Sequence, residues 1–120
     1  MAILAQLIDD VVVHKFELPQ GETRIGRGTD SDIVVAESAV STEHANVSLT
    51  PNPYFSEYLE AYIEDCGSTN GTFLNDKPLA GRQRLHNNDV IRVAWNKFRF
   101  IDESEAEMEK TVHMMKNQTP

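Results

Sequence analysis

The chain has 120 residues, 40% hydrophobic and 25% charged, with a formal net charge of −8. That length suits one domain with its own core, and the acid excess argues against a nucleic-acid binder, where a basic stripe is expected. No apolar run approaches the ~18 residues of a membrane span, and the single Cys66 excludes an internal disulfide and fits a reducing, cytoplasmic setting.

Met1 to Ile8 lacks a basic leader region and meets Asp9-Asp10 at once, so it reads as a first strand and not as a signal peptide. Val11 to Leu18 is a second strand, closed by the turn residues Pro19-Gln20-Gly21. Asp32-Ile33-Val34-Val35 is short and β-branched. In Ala45-Asn46-Val47-Ser48-Leu49 the alternation places Ala45, Val47 and Leu49 inward. Pro51-Asn52-Pro53 breaks the chain, and Tyr58 to Asp65 alternates again, with Leu59, Ala61 and Ile63 on one face. Asn88-Asp89 reads as a turn into the strand Val90 to Ala94, and Phe98 to Ile101 follows after a linker at Trp95-Asn96-Lys97. Trp95 and the Phe residues are expected in the core. Many short strands with regular turn signals predict an all-β sandwich.

After Ile101 the composition changes. Residues 1–101 carry 9 Lys/Arg and 14 Asp/Glu, net −5, whereas residues 102–120 carry 2 and 5, net −3. The last stretch is rich in helix formers, and Met108, Val112 and Met115 fall at i, i+4 and i+7. The stripe is narrow and the segment short, so an isolated helix would be marginal. The expected organisation is a domain over 1–101 and an acidic tail over 102–120, disordered or briefly helical.

Three segments between the strands suit an oxyanion: Arg24-Ile25-Gly26-Arg27, Ser41-Thr42-Glu43-His44 and Gly67-Ser68-Thr69-Asn70-Gly71-Thr72. Each holds turn-type residues. Arg27 offers a permanent cation with a planar fork of donors. Ser41, Thr69 and also Ser68 offer hydroxyls, and Asn70 an amide that can pair with a peptide backbone. A phosphate brings three acceptor oxygens and a charge of roughly −1.5 to −2. Converging at one end of a β-fold, these segments would bind a phosphorylated peptide. The ordinary alternatives are a surface Arg, a turn Ser and a tight Asn-Gly hairpin turn.

The order and spacing of these motifs, from about Thr23 to Phe100, resemble the forkhead-associated (FHA) domain, which reads Gly-Arg, then Ser-x-x-His, then Ser/Thr-x-Asn-Gly. The resemblance implies two packed sheets of about eleven strands with ligand loops at one end. It implies a non-catalytic phosphothreonine-peptide module that acts as a signalling adaptor. Arg27, Ser41 and Thr69 would serve the phosphate and Asn70 the peptide backbone. Thr42 departs from the Arg or Asn usual after the Ser and would reach less far. Gly26, Gly67 and Gly71 would serve the backbone, and His44 would fix the Ser41 loop. Ala39, where some members carry a basic residue, hints at a small or apolar peptide preference. Partners would be a threonine-phosphorylated protein and, upstream, a Ser/Thr kinase. As the alternative, Thr111 in the tail would be a phosphosite captured by the module itself, giving autoinhibition or self-association.

No cofactor is implied. His44, Asp65 and Cys66 lack zinc-ligand spacing, and His14 and His86 read as solvated or core-edge residues. Ser41 and His44, three apart near a strand, point to opposite faces and do not make a nucleophile–base pair. No P-loop, Cys/His pair or paired-carboxylate pattern is present, so no enzyme is expected.

Overall fold

The structure is a computed structural model that describes residues 1–104. Eleven strands follow one another: β1 (Ala2–Ile8), β2 (Val11–Leu18), β3 (Gly21–Gly26), β4 (Ile33–Val34), β5 (Ala45–Pro51), β6 (Leu59–Asp65), β7 (Thr72–Leu74), β8 (Lys77–Pro78), β9 (Gln83–Leu85), β10 (Val90–Val93) and β11 (Asn96–Asp102). They form a six-stranded sheet, β2-β1-β11-β10-β7-β8, and a five-stranded sheet, β4-β3-β5-β6-β9. Every pairing is antiparallel except β3 with β4.

Alternation builds the core between the sheets. Leu4, Ile91, Val93, Phe98 and Phe100 from the larger sheet meet Ile25, Val47, Leu49, Ile63 and Leu85 from the smaller one. Phe98 and Phe100 are fully buried, so truncating either to Ala would cost about 3–5 kcal/mol. Two hairpins turn on paired acidic or amide residues at positive φ, Asp9-Asp10 (51° and 64°) and Asn75-Asp76 (50° and 68°). Asp and Asn tolerate that region, and the resulting twist suits a two-residue hairpin.

Three expectations change. Trp95 is 67% and Phe55 62% exposed, so neither belongs to the core. Trp95 sits in a two-residue turn and Phe55 in the β5–β6 loop, where the chain offers no opposite layer. Asn96 and Lys97 are not a linker but the start of β11, with Asn96 opposite Val93. Arg24 to Gly26 is strand, not loop: Ile25 faces the core while Arg24 faces solvent.

Register sets the two ends of the sandwich apart. Ile25 lies opposite Ala45, Ala45 opposite Asp65, and Val93 opposite Thr72. The loops after β3, before β5, between β6 and β7, and between β10 and β11 therefore gather at one end. Gly21 opposite Leu49, Pro51 opposite Leu59, and Ala2 opposite both Leu18 and Asp102 mark the other. Strand β11 carries the chain to that far end, where the Glu103 N–H donates to the Met1 carbonyl at 3.2 Å. Met108, Thr111, Val112 and Met115 lie outside the described residues. No described helix is long and apolar enough to cross a membrane.

Candidate phosphopeptide-binding site

Arg27 follows the end of β3 at the start of the β3–β4 loop, beside the β4–β5 loop that carries Ser41 and Thr42. Its N–H donates to the Ser41 carbonyl at 3.0 Å and the Gly28 N–H to the Thr42 carbonyl at 3.1 Å, so the two loops zip together. The close approach requires Gly26: a Cβ there would lie 2.2 Å from the Thr42 carbonyl oxygen and 2.9 Å from Ser31 Oγ. The Arg27 side chain is held by one bond, Nε–H to the Val40 carbonyl at 3.0 Å. That bond fixes the plane of the guanidinium and leaves its two terminal amino groups for another acceptor.

His44 is fully buried beneath this loop. Its Nδ1 accepts the Ser41 N–H at 3.0 Å. A nitrogen that accepts carries no proton, so Nε2 holds it and donates to the Gly71 carbonyl at 2.8 Å. The ring thus ties the Ser41 loop to the β6–β7 loop. The same Gly71 carbonyl also accepts the Ala94 N–H at 3.2 Å, which adds the β10–β11 turn. Both imidazole nitrogens serve backbone groups and neither meets the Ser41 hydroxyl, so this His cannot act as its general base in this geometry.

The β6–β7 loop is organised by Asp65, the last residue of β6. Its carboxylate accepts the Gly67 and Ser68 N–H groups at 2.9 and 3.0 Å, the Thr72 hydroxyl at 2.6 Å and the Ser68 hydroxyl. Partial burial raises its pKa, but these hydrogen bonds outweigh that effect and hold it below the usual aspartate value. Gly67 and Gly71 take φ of 79° and 84°, a region costly for side-chain-bearing residues. In the sequence Asp65 stands out only as a potential metal ligand without zinc spacing. The available signal was Asp65 two residues before Gly67-Ser68, the turn-residue pattern of an Asx-turn. Ser68 Oγ also accepts the Gly71 N–H at 3.0 Å, so its hydroxyl is engaged within the loop.

Ser41 and Thr69 meet across this arrangement. The Thr69 N–H donates to Ser41 Oγ at 3.0 Å, which leaves the Ser41 hydroxyl proton to be donated elsewhere. Asn70 Nδ2 donates to the Ala39 carbonyl at 2.7 Å, spanning the same two loops. Arg27, Ala39, Ser41, Thr42, Thr69 and Asn70, with Ser38 and Val40, line one open depression of about 320 Å³. Among the described residues Arg27 is its one charged lining residue. Gly26, His44, Gly67 and Gly71 lie behind or beside that surface. Thr111, the proposed phosphosite, falls outside the described residues. Among the described residues no cluster of His, Cys, Asp and Glu is arranged to hold a metal. Burial and the neighbouring carboxylates of Asp65, Glu43 and Glu64 push the Cys66 thiol up, away from a reactive thiolate.

A two-sheet sandwich with these polar loops gathered at one end is the architecture of a β-sandwich interaction module. The FHA domain model matches residues 23–94, and the chain belongs to the FHA domain family. FHA domains are non-catalytic interaction modules that bind phosphothreonine peptides. The chain is 38% identical over 96 residues to the ABC transporter ATP-binding/permease protein Rv1747 of Mycobacterium tuberculosis, covering 80% of this chain but 10% of that protein. It therefore spans only about a tenth of that relative's length. Among solved structures it is similar to an FHA domain from a structural and functional analysis of phosphothreonine-dependent FHA domain interactions, with TM-score 0.70, 26% identity, and coverage of 85% of this chain and 96% of that one. It is also similar to the FhaA FHA domain complexed with the intracellular domain of Rv3910, with TM-score 0.68, 27% identity, and coverage of 83% and 99%.

Proposed function

We propose that this protein is a non-catalytic adaptor that captures a threonine-phosphorylated protein in the depression lined by Arg27, Ser41, Thr42, Thr69 and Asn70. The observation that carries the reading is that Arg27, held by the Val40 carbonyl, and Ser41, held by the Thr69 N–H, line one depression with the cation's terminal amino groups and the hydroxyl proton left to donate. Arg27 and the Ser41 and Thr69 hydroxyls serve the phosphate. Asn70 turns from the Ala39 carbonyl to the peptide backbone, and Thr42 adds a short contact. Charge-assisted hydrogen bonds contribute about 1.5–3 kcal/mol each, offset by about 2–5 kcal/mol for ordering the peptide. The balance suggests low-micromolar affinity, near about −8 kcal/mol. The partner is the product of a Ser/Thr kinase, and the setting is cytoplasmic. A degenerate phosphothreonine peptide library, read by fluorescence anisotropy against phosphoserine and unphosphorylated controls, tests this. Saturable binding of the phosphothreonine set supports the reading, and binding of none of the three sets contradicts it.

A second reading concerns Thr111 as a phosphosite captured by the module itself. Here the fold favours capture between molecules over autoinhibition. The chain leaves at the end opposite the depression, one strand away, or about 23 Å along the seven residues of β11. Thr111 follows Ser104 by seven residues, a reach of at most about 25 Å at full extension. Capture by a second molecule needs no such stretching. Incubation with a kinase, followed by mass spectrometry and gel filtration, checks it: phosphorylation of Thr111 without any increase in size removes self-association.

A further inference from the structure

A concavity of about 630 Å³ lies at the far end of the sandwich, away from the Arg27 depression. Its walls include Leu18, Leu49 and Leu59 together with Phe55 and Tyr58. Phe55 is 62% and Tyr58 42% exposed, with their rings 6.2 Å apart, edge to face. This aromatic pair is held in place. Asn52 Oδ1 accepts the Tyr54 and Phe55 N–H groups at 2.8 and 3.0 Å, and the Asn52 N–H donates to the Tyr58 carbonyl at 2.8 Å. Glu60 at the rim is already satisfied by Asn52, Tyr62 and Arg84. A structured loop therefore presents two large rings beside an apolar wall. Such a surface resembles a binding site more than scattered surface apolarity does.

The chain itself points to the occupant. Ser104, the last described residue, forms part of the rim, and residues 105–120 continue from it. Those residues carry Met108, Val112 and Met115 at i, i+4 and i+7, the spacing of one helical face. Unbranched methionines adapt to irregular apolar walls and make favourable sulfur–aromatic contacts. Because the segment is tethered at the rim, its effective concentration at the cleft is far above that of any free partner. We propose that the C-terminal segment 105–120 docks in cis on this far-end cleft, laying Met108, Val112 and Met115 against Leu49, Leu59, Phe55 and Tyr58.

The test uses the full chain labelled at Met, Leu and Val methyls, observed by NMR. Nuclear Overhauser contacts should run from the Met108 and Met115 methyls to the Phe55 and Tyr58 rings. Met108→Asp with Met115→Asp should remove them and shift the Leu49 and Leu59 methyl signals. Met114→Asp, off that spacing, should leave them unchanged. Phe55→Ser, at an exposed position, should cause the same loss from the other side. Absence of contacts in the parent chain, or no Leu49 and Leu59 shift in the double variant, overturns the proposal. In a mixed sample of differently labelled chains, contacts arising only between molecules would assign the cleft to a second copy and overturn docking in cis.

Discussion

The backbone N–H of Thr69 donates to the hydroxyl oxygen of Ser41 at 3.0 Å, across 28 residues of sequence. One loop's main chain thereby orients another loop's side chain, and the Ser41 proton is left to be donated to another acceptor. Replacing Ser41 with Ala removes an anchor and, on the proposed function, a donor to the phosphate. We expect Ser41→Ala to cost about 1 kcal/mol in stability and to weaken phosphothreonine-peptide binding by about 10- to 100-fold. Chemical denaturation and a peptide titration on the same sample separate the two effects. Unchanged affinity would remove Ser41 from the site.

His44 bridges the same loops from beneath, and its loss is expected to act on both stability and affinity. His44→Ala leaves the Ser41 N–H without its acceptor and removes one of the two donors to the Gly71 carbonyl. For a fully buried residue the expected cost is about 2–4 kcal/mol, since each orphaned polar group contributes about 1–3. Peptide affinity should fall although the imidazole never reaches the ligand. A variant that unfolds at the parent's denaturant midpoint would contradict this role.

Gly26→Ala tests the packing of the two loops without removing any side chain that lines the depression. Its φ is not in the left-handed region, so the penalty is steric: the new methyl meets the Thr42 carbonyl. Overpacking of this kind costs about 1–3 kcal/mol. The Arg27–Ser41 and Gly28–Thr42 backbone bonds should open, visible as faster amide exchange at Arg27 and Gly28. Parent-like protection at both amides would contradict the contact.

How much of this was legible beforehand depended on element length. Strands β1, β2, β5, β6 and β10 announce themselves by alternation or β-branched runs. Strands β7, β8 and β9 have three, two and three residues, too few for a period to register. Strand β3 does alternate, with Thr23 and Ile25 buried between exposed Glu22 and Arg24, but its glycines and charges read as loop. Residue type misled at Trp95 and Phe55, because an aromatic in a turn has no second layer to cover it. The depression's residues were legible as motifs. The bonds that join them were not, because Ser41 to Thr69, His44 to Gly71 and Asn70 to Ala39 are contacts made by the fold.

Asp65 predicts a pH dependence. Its pKa is lowered in the folded protein, so it contributes stability at pH values above its unfolded value, about 3.9, and loses that contribution as pH falls through the lower folded value. Asp65→Asn should therefore flatten the acid side of the stability curve below about pH 4. Urea unfolding of parent and variant at several pH values between neutral and 3 measures it. Equal acid slopes would show that the loop hydrogen bonds do not favour the charged carboxylate.

The most direct measurement is calorimetric titration of the best phosphothreonine peptide into the parent protein and into Arg27→Ala, with the matched phosphoserine peptide as control. The account predicts saturable low-micromolar binding by the parent, weaker phosphoserine binding, and loss of measurable binding by the variant. Arg27→Ala binding as tightly as the parent would contradict it, and the phosphate would have to be held elsewhere.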